Sequence, residues 1–328
     1  METRVNNGRL SQVRIYLGKC FRIFRYEKGW KVILFGAVIS AIIAWVPGSE
    51  MFVHKQQTKN GAFAIVCACI WIGLFNSIQS ICRERKIIKR EHRTGLHISS
   101  YVLAHMIYEL CLCMIQSLIM VVALLIFRRD FPTDGVIFTA VLEIYISCLL
   151  TMYAADVLGI AVSSFVKSEN AAMAAMPFVL IVQLVLAGTI FELSGSVEVV
   201  SKVTISKWAV EAIGATCDIN NMEDAFTLIQ VDEEIAALEE QQKEIDKKRK
   251  ELKDQGLPDD ELEDIEIDED AITEKYLDKQ KEDEDRTDPA YDHTIKNVCF
   301  NWAVMAAYAI LYGIVSVIAL EFVDRDKR

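Results

Sequence analysis

The sequence predicts an all-α membrane protein: six transmembrane helices, an amphipathic interfacial helix at the amino terminus, and an extracytoplasmic helical hairpin inserted between the fifth and sixth helices. Three observations carry this expectation. Hydrophobic residues make up 52% of the 328 positions and charged residues 25%, with a mean hydropathy of +0.25. A chain rich in both must segregate them along its length instead of mixing them as a soluble domain does. The apolar positions gather in six runs, 30–46, 61–81, 102–127, 136–166, 171–191 and 298–322. Each is near or above the roughly 20 residues that a helix needs to cross about 30 Å of hydrocarbon. The charge, finally, is partitioned: residues 217–296 hold 29 Asp and Glu against 11 Lys and Arg, whereas the remainder holds 17 acids and 24 bases.

A soluble fold with six buried core helices would need amphipathic partners to cover them. Residues 1–29 and 82–100 are too short for that task. Positive charge sets the orientation. Arg4, Arg9, Arg14, Lys19, Arg22, Arg25 and Lys28 precede the first run, and Arg83, Arg85, Lys86, Lys89, Arg90 and Arg93 follow the second. The opposite loops hold only Lys55 and Lys59, and Arg128 and Arg129, while the tail adds Arg325, Lys327 and Arg328. A multi-pass protein of the plasma membrane with both termini cytoplasmic is expected. The first run is read as a span and not as a signal peptide, because a long basic stretch precedes it and no small-x-small cleavage pattern follows before Pro47.

In the amino-terminal segment Leu10, Val13, Leu17, Phe21 and Phe24 recur at spacings of three and four, which predicts a helix with one apolar stripe. Such a stripe suits the cytoplasmic leaflet or a partner protein. In the acidic insert, Ile235, Leu238, Ile245 and Leu252 have heptad-like spacing, but Gln242 and Arg249 interrupt the seam. Gly256 to Pro258 then break the helix, and Leu262, Ile265, Ala271, Ile272, Tyr276 and Leu277 form a second apolar set. An antiparallel hairpin and a charge-rich, partly disordered loop both fit, because so few apolar residues repay little ordering entropy.

The nine cysteines give no disulfide framework. Cys67 and Cys69, like Cys111 and Cys113, are two apart, a spacing that turns helical side chains about 200° from each other. Ionisable residues within spans invite a functional reading, and here they are Glu109, Glu143 and Asp156. Glu109 and Glu143 can sit near span ends, which leaves Asp156 as the deep one. The histidines, His54, His92, His97, His105 and His293, form no i, i+4 pair, so neither a metal centre nor a convergent catalytic set is indicated.

The most informative segment follows the second run: Ser80-Ile81-Cys82-Arg83-Glu84-Arg85-Lys86-Ile87-Ile88-Lys89-Arg90-Glu91-His92-Arg93-Thr94-Gly95, continuing to Tyr101. A short charged helix held between two spans is a handle that moves both together. An ordinary positive-inside loop explains its bases but not Glu84 and Glu91.

The pattern E-R-x4-R-E-x3-G-x5-Y, present as Glu84, Arg85, Arg90, Glu91, Gly95 and Tyr101, resembles the membrane domains of type-2 ABC exporters. The resemblance is to the G subfamily, which includes the eye-pigment transporter and bacterial relatives. Leu158 to Ser164 with Pro177, Gln183 and Gly188, and Ile205 to Ala212, are similar to further blocks of that family, although Lys207 stands where many members have proline. The insert at 217–296 lies outside the resemblance.

The resemblance implies a dimer of membrane domains, homo- or heterodimeric, with the substrate passing between the copies. It implies docking of a nucleotide-binding ABC ATPase subunit on the loop that carries Glu84, Arg85, Arg90, Glu91 and Gly95. No G-x-x-x-x-G-K-[ST] motif is present, so ATP and magnesium are expected on that partner and no cofactor on this chain. Membrane lipid is the remaining partner, and nucleic acid is not expected. By analogy the second and fifth spans face each other across the dimer axis, which makes Phe75, Asn76, Met176, Phe178 and Gln183 candidates for the substrate path. A proton-coupled secondary transporter or a six-span channel is the alternative class. The expected organisation is a cytoplasmic connecting helix at 1–29, five spans within 30–191 with the coupling loop at 82–100, an extracytoplasmic region at 192–297, and the last span with its tail at 298–328.

Overall fold

A computed structural model describes residues 8–46, 51–127, 130–189, 196–222 and 288–322, with single positions at 235, 238 and 243. The predicted hairpin in the insert lies outside the described residues. The elements are α1 (Arg9–Tyr26), α2 (Trp30–Trp45), α3 (Lys55–Ser77), α4 (Ser80–Arg93), α5 (Ile98–Phe127), α6 (Ala140–Phe165), α7 (Glu169–Val185), α8 (Ser196–Ser201), α9 (Ile205–Thr216) and α10 (Ile295–Glu321). Among the described residues no β-strand forms, and a single bridge joins Asp134 to Thr139.

Four helical stretches are long and apolar enough to cross a membrane: Lys55–Arg93, which joins α3 to α4, then α5, α6 and α10. A fifth candidate is the pair α1 and α2, bent by 73° at their junction. Lys28 takes a left-handed φ of 57° at this corner, and a Cβ on Gly29 would overlap the Phe24 ring. The corner therefore needs glycine where the chain turns back on its own aromatic side chain. The run at 171–191 becomes α7, a 17-residue helix that contains Pro177, which cannot donate to the Met173 carbonyl. Ser168 caps α7 and Thr294 caps α10, each accepting from a backbone N–H three residues on.

The distribution of polarity is that of a bundle in lipid. Leu34, Val38 and Ile42 on α2, Leu118, Val122 and Leu125 on α5, and Ile310, Ile314 and Ile318 on α10 are exposed, whereas Ser77, Gln116, Ser147, Thr151, Asp156 and Asn301 are buried. Outward faces are apolar and the polar groups turn inward, away from lipid. The chain is a multi-pass membrane protein.

The centre of the bundle is the crossing of α3 with α6. A Cβ on Gly73 would overlap the Met152 carbonyl oxygen, and one on Gly159 would overlap Ser77 Oγ. Ser77 Oγ donates to the Asp156 carbonyl at 2.6 Å, and Ser163 Oγ accepts from the Ile81 and Cys82 amides. Small residues let the backbones approach and hydroxyls bond across the gap. At the opposite end of α6, buried Glu143 accepts from the Ile137 and Phe138 amides and from Thr216 Oγ1. It lies at the start of the α6 span, fully buried instead of reaching an interface, and ties the start of α6 to the end of α9.

Candidate functional site

The candidate site is the junction of α1, α4 and the start of α5. The sequence reads as a loop carrying a short helix between two spans, but α4 continues α3 after a two-residue break, and the reversal comes only at Thr94–His97. Gly95 makes that turn with φ 109°, a conformation open to glycine but strained for a side chain. Ile81 and Ile88, two turns apart on α4, are fully buried against Leu96, Tyr101, Ile160 and Leu320. This apolar seam sets the rotation of α4 and thereby decides where its charges point.

Glu84 faces inward. Its Oε2 accepts from Lys19 Nζ of α1 at 2.8 Å and from Tyr101 OH of α5 at 2.9 Å. One turn pair further on, Glu91 Oε2 accepts from Tyr16 OH at 2.8 Å, and the Tyr16 and Tyr101 rings meet edge to face at 5.5 Å. Burial, reinforced by the Glu91 bond, holds the Tyr16 hydroxyl protonated by raising its pKa above the usual value. Gln12 spans the turn, donating to the Gly95 carbonyl at 3.1 Å and accepting from the His97 amide at 2.9 Å. Arg83 forms a two-bond pair with Glu27 at the α1–α2 corner, and this pair is half exposed. Arg85 Nη1 donates to the Ser164 and Val166 carbonyls and so caps the carboxyl end of α6, where a cation also meets the helix dipole. Charged hydrogen bonds thus join α4 to α1, α5 and α6.

Of the five sequence-predicted coupling residues, Glu84, Arg85, Glu91 and Gly95 are built into this knot. Arg90 is not: it is exposed, and among the described residues it makes no side-chain hydrogen bond or ion pair. The reason is rotational, since the seam through Ile81 and Ile88 turns Arg90 outward beside Lys86 and Arg93. The apolar stripe read on α1 is also only partly the packing face. Phe21 and Phe24 meet Tyr108 edge to face, but Leu10 is 83% exposed, and the buried residues of α1 are Gln12 and Cys20. The spacing of four, three and four through Gln12, Tyr16, Lys19 and Ile23 is the signal that would have found this second face.

The residues expected along a substrate path fall into two groups. Phe75, at 4.9 Å from the Phe35 ring, and Asn76, which donates to Gln116 Oε1 at 2.7 Å, border a cavity of about 340 Å3 beneath α1. Phe178, 72% exposed, and Gln183 border a separate, mainly apolar groove with Val200, Val203 and Tyr312. Gln183 has a structural engagement as well, because its Oε1 accepts from the Ile205 and Ser206 amides and starts α9. Met176 is packed in the central core.

Sequence reasoning missed one pairing. Glu109 does not reach an interface; it is 2% exposed and its carboxyl meets that of Asp156 on α6. Cys113 Sγ lies 3.4 Å from Asp156 Oδ2. No local spacing announces a contact between residues on two different spans.

The described residues form a helical membrane bundle with a charged helix, α4, knotted to an amphipathic helix, α1, at one end. The chain belongs to the ABC-2 type transporter family, whose model matches residues 12–216. It is similar to the ABC transporter ATP-binding/permease protein Rv1747 of Mycobacterium tuberculosis, 29% identical over 211 residues. The matched region covers 60% of this chain and 24% of that protein. The match ends where the acidic insert begins, so the knot, α3, α5, α6 and α9 all lie within the family's part of the chain.

Proposed function

We propose that the chain is the membrane subunit of an ATP-driven exporter. In this reading α2, α3, α5, α6, α7 and α10 are six crossings, and the α1–α4 end is cytoplasmic. Two copies enclose the substrate path, a separate ABC ATPase docks on α4, and ATP with its magnesium resides on that partner. The likeness to the G subfamily carries the dimer and the direction of transport. The observation that supports coupling is the form of α4. It is continuous with a span, anchored through Glu84, Arg85 and Glu91 to three other helices, and turns an exposed basic stripe of Lys86, Arg90 and Arg93 outward. A push on that stripe moves α3, α1 and α5 as one body. Arg90 then acts at the partner's surface, and Glu84 holds the lever.

The test is co-purification from cross-linked membranes, followed by ATP-dependent transport in reconstituted vesicles. Arg90→Glu with Lys86→Glu is expected to lose the ATPase at unchanged thermal stability. Glu84→Gln is expected to keep the ATPase but transport less per ATP. Failure to recover any ABC ATPase, or full retention of it by the double reversal, would overturn the docking assignment. The Glu109–Asp156 contact favours one second reading, a proton-coupled transporter with these carboxyls as relays. Uptake or efflux driven by a pH gradient without ATP separates the two.

A further inference from the structure

The cavity beneath α1, which Glu84 of the knot and the path candidates Phe75 and Asn76 also border, holds a further feature on its α5 wall. It is bounded by α1, the first turn of α2, the α3–α4 break and α5, and encloses about 340 Å3. Three carboxylates border it: Glu27, Glu84 and Glu109. Two have cationic partners, Glu27 in Arg83 and Glu84 in Lys19. Glu109 has none among the described residues, and its Oε2 is buried without a hydrogen-bond partner. His105, one turn earlier on the same helix, is 8% exposed, and its Nδ1 is likewise buried and unpartnered. Its Nε2 has only the weak contact with Cys20 Sγ at 3.8 Å.

Two unsatisfied polar atoms in one cavity wall are costly unless something fills the space between them. Behind Glu109 stands Asp156, whose Oδ1 is also unpartnered. Two carboxyls in contact can share one proton, and a cation brought against them favours that singly charged form. Among the described residues no basic side chain is paired with it. The vacant atom of Glu109 accepts hydrogen bonds, and so does His105 Nδ1 when its proton is on Nε2. Asn76, Gln79, Ser80 and Arg83 also line the wall, with Arg83 held by Glu27. The remainder is mainly apolar or aromatic, from Ile23, Val32, Phe75, Tyr108 and Leu112. The group that answers all of this is an ammonium with N–H donors on a small hydrocarbon body: the charge meets the carboxyl pair, the N–H groups reach Glu109 and His105, and aromatic rings favour both cation and hydrocarbon. A metal ion fits less well, because no group of three or more His, Cys, Asp or Glu ligands forms among the described residues.

We infer that this cavity is a binding site for a small organic amine, recognised by Glu109 and His105 as a protonated primary ammonium. The inference is independent of the transport proposal, since binding is read without ATP or a partner.

The experiment uses the full chain in lipid nanodiscs, titrated calorimetrically with phenethylamine, with empty nanodiscs as the blank for partitioning. Phenethyl alcohol, the neutral analogue, and tetramethylammonium, a cation without N–H donors, are the comparison probes. Saturable binding of phenethylamine is expected, at least tenfold tighter than either comparison probe. Glu109→Gln is expected to weaken it tenfold or more, and His105→Phe, which removes the acceptor and fills space, to weaken it similarly. If Glu109→Gln fails to fold, His105→Phe and the probe series on the wild type decide. Equal affinity for phenethyl alcohol, or binding no greater than that of empty nanodiscs, overturns the inference.

Discussion

Glu84 gives the sharpest test of the knot. Its Oε2 takes two donors, Lys19 Nζ at 2.8 Å and Tyr101 OH at 2.9 Å, and the side chains of Lys19 and Glu84 are 29% and 16% exposed. Hydrogen bonds to charged groups are worth about 1.5–3 kcal/mol when well buried, and an exposed ion pair about 0.2–1 kcal/mol. The geometry lies between these limits: Lys19 reaches water if released, whereas Tyr101 is fully buried and loses its acceptor outright. Glu84→Ala is therefore expected to cost about 1–2 kcal/mol. For a chain of this size that lowers the thermal midpoint by a few degrees, at about 2–4 °C per kcal/mol. Because Lys19→Met and Tyr101→Phe each remove one donor, a double-mutant cycle with Glu84→Ala separates the two arms. Residues in one network couple by roughly 0.5–3 kcal/mol, and the Tyr101 arm is expected to show the larger coupling. Arg90→Ala is the control, with no expected change in midpoint. Additive effects in both cycles, or equal losses in the Glu84 and Arg90 variants, would show that α4 is held by its Ile81–Ile88 seam alone.

Gly73→Val forces a side chain against the Met152 carbonyl where α3 crosses α6, and overpacking of this kind costs about 1–3 kcal/mol; loss of monodispersity in size-exclusion chromatography and a lower midpoint are expected, while Gly18→Ala, with open space around it, changes neither. Glu211 on α9 is largely buried beside Lys207 at 3.5 Å, and burial, opposed by Lys207, raises its pKa to about 7. Its folded-state pKa is thus above the ordinary value near 4.5, so the stability that it contributes is full below that value and is lost as pH rises through about 7. The wild-type midpoint should fall between pH 5 and 8 more steeply than that of Glu211→Gln, and parallel curves would contradict the assignment. For orientation, a cysteine at Asp260 in a Cys299→Ser background is expected to react with an impermeant thiol reagent in intact cells, and one at Arg90 not to; reversed labelling would place α4 outside.

The membrane class of this protein was legible in the chain because a bilayer imposes a length. Any helix that crosses it must show about 20 consecutive apolar residues, and that requirement is written residue by residue in the runs that became α3, α5, α6 and α10. The charged segment from Glu84 to Arg93 and Gly95 were legible through resemblance to a family pattern, whereas the turn that Gly95 makes at φ 109° came only with the structure. What the sequence by itself left open is which way each helix faces. Arg85 and Arg90 look alike in the chain, yet one caps α6 and the other points outward. Glu109 had every appearance of a residue able to reach an interface, and it meets Asp156 on another span. Gln183 was read as lining a path, and its side-chain oxygen holds the first amides of α9. Periodicity defines the faces of one helix, but the rotation of one helix against another is settled by many small packing terms spread over several partners, and these exist only once the helices have been brought together.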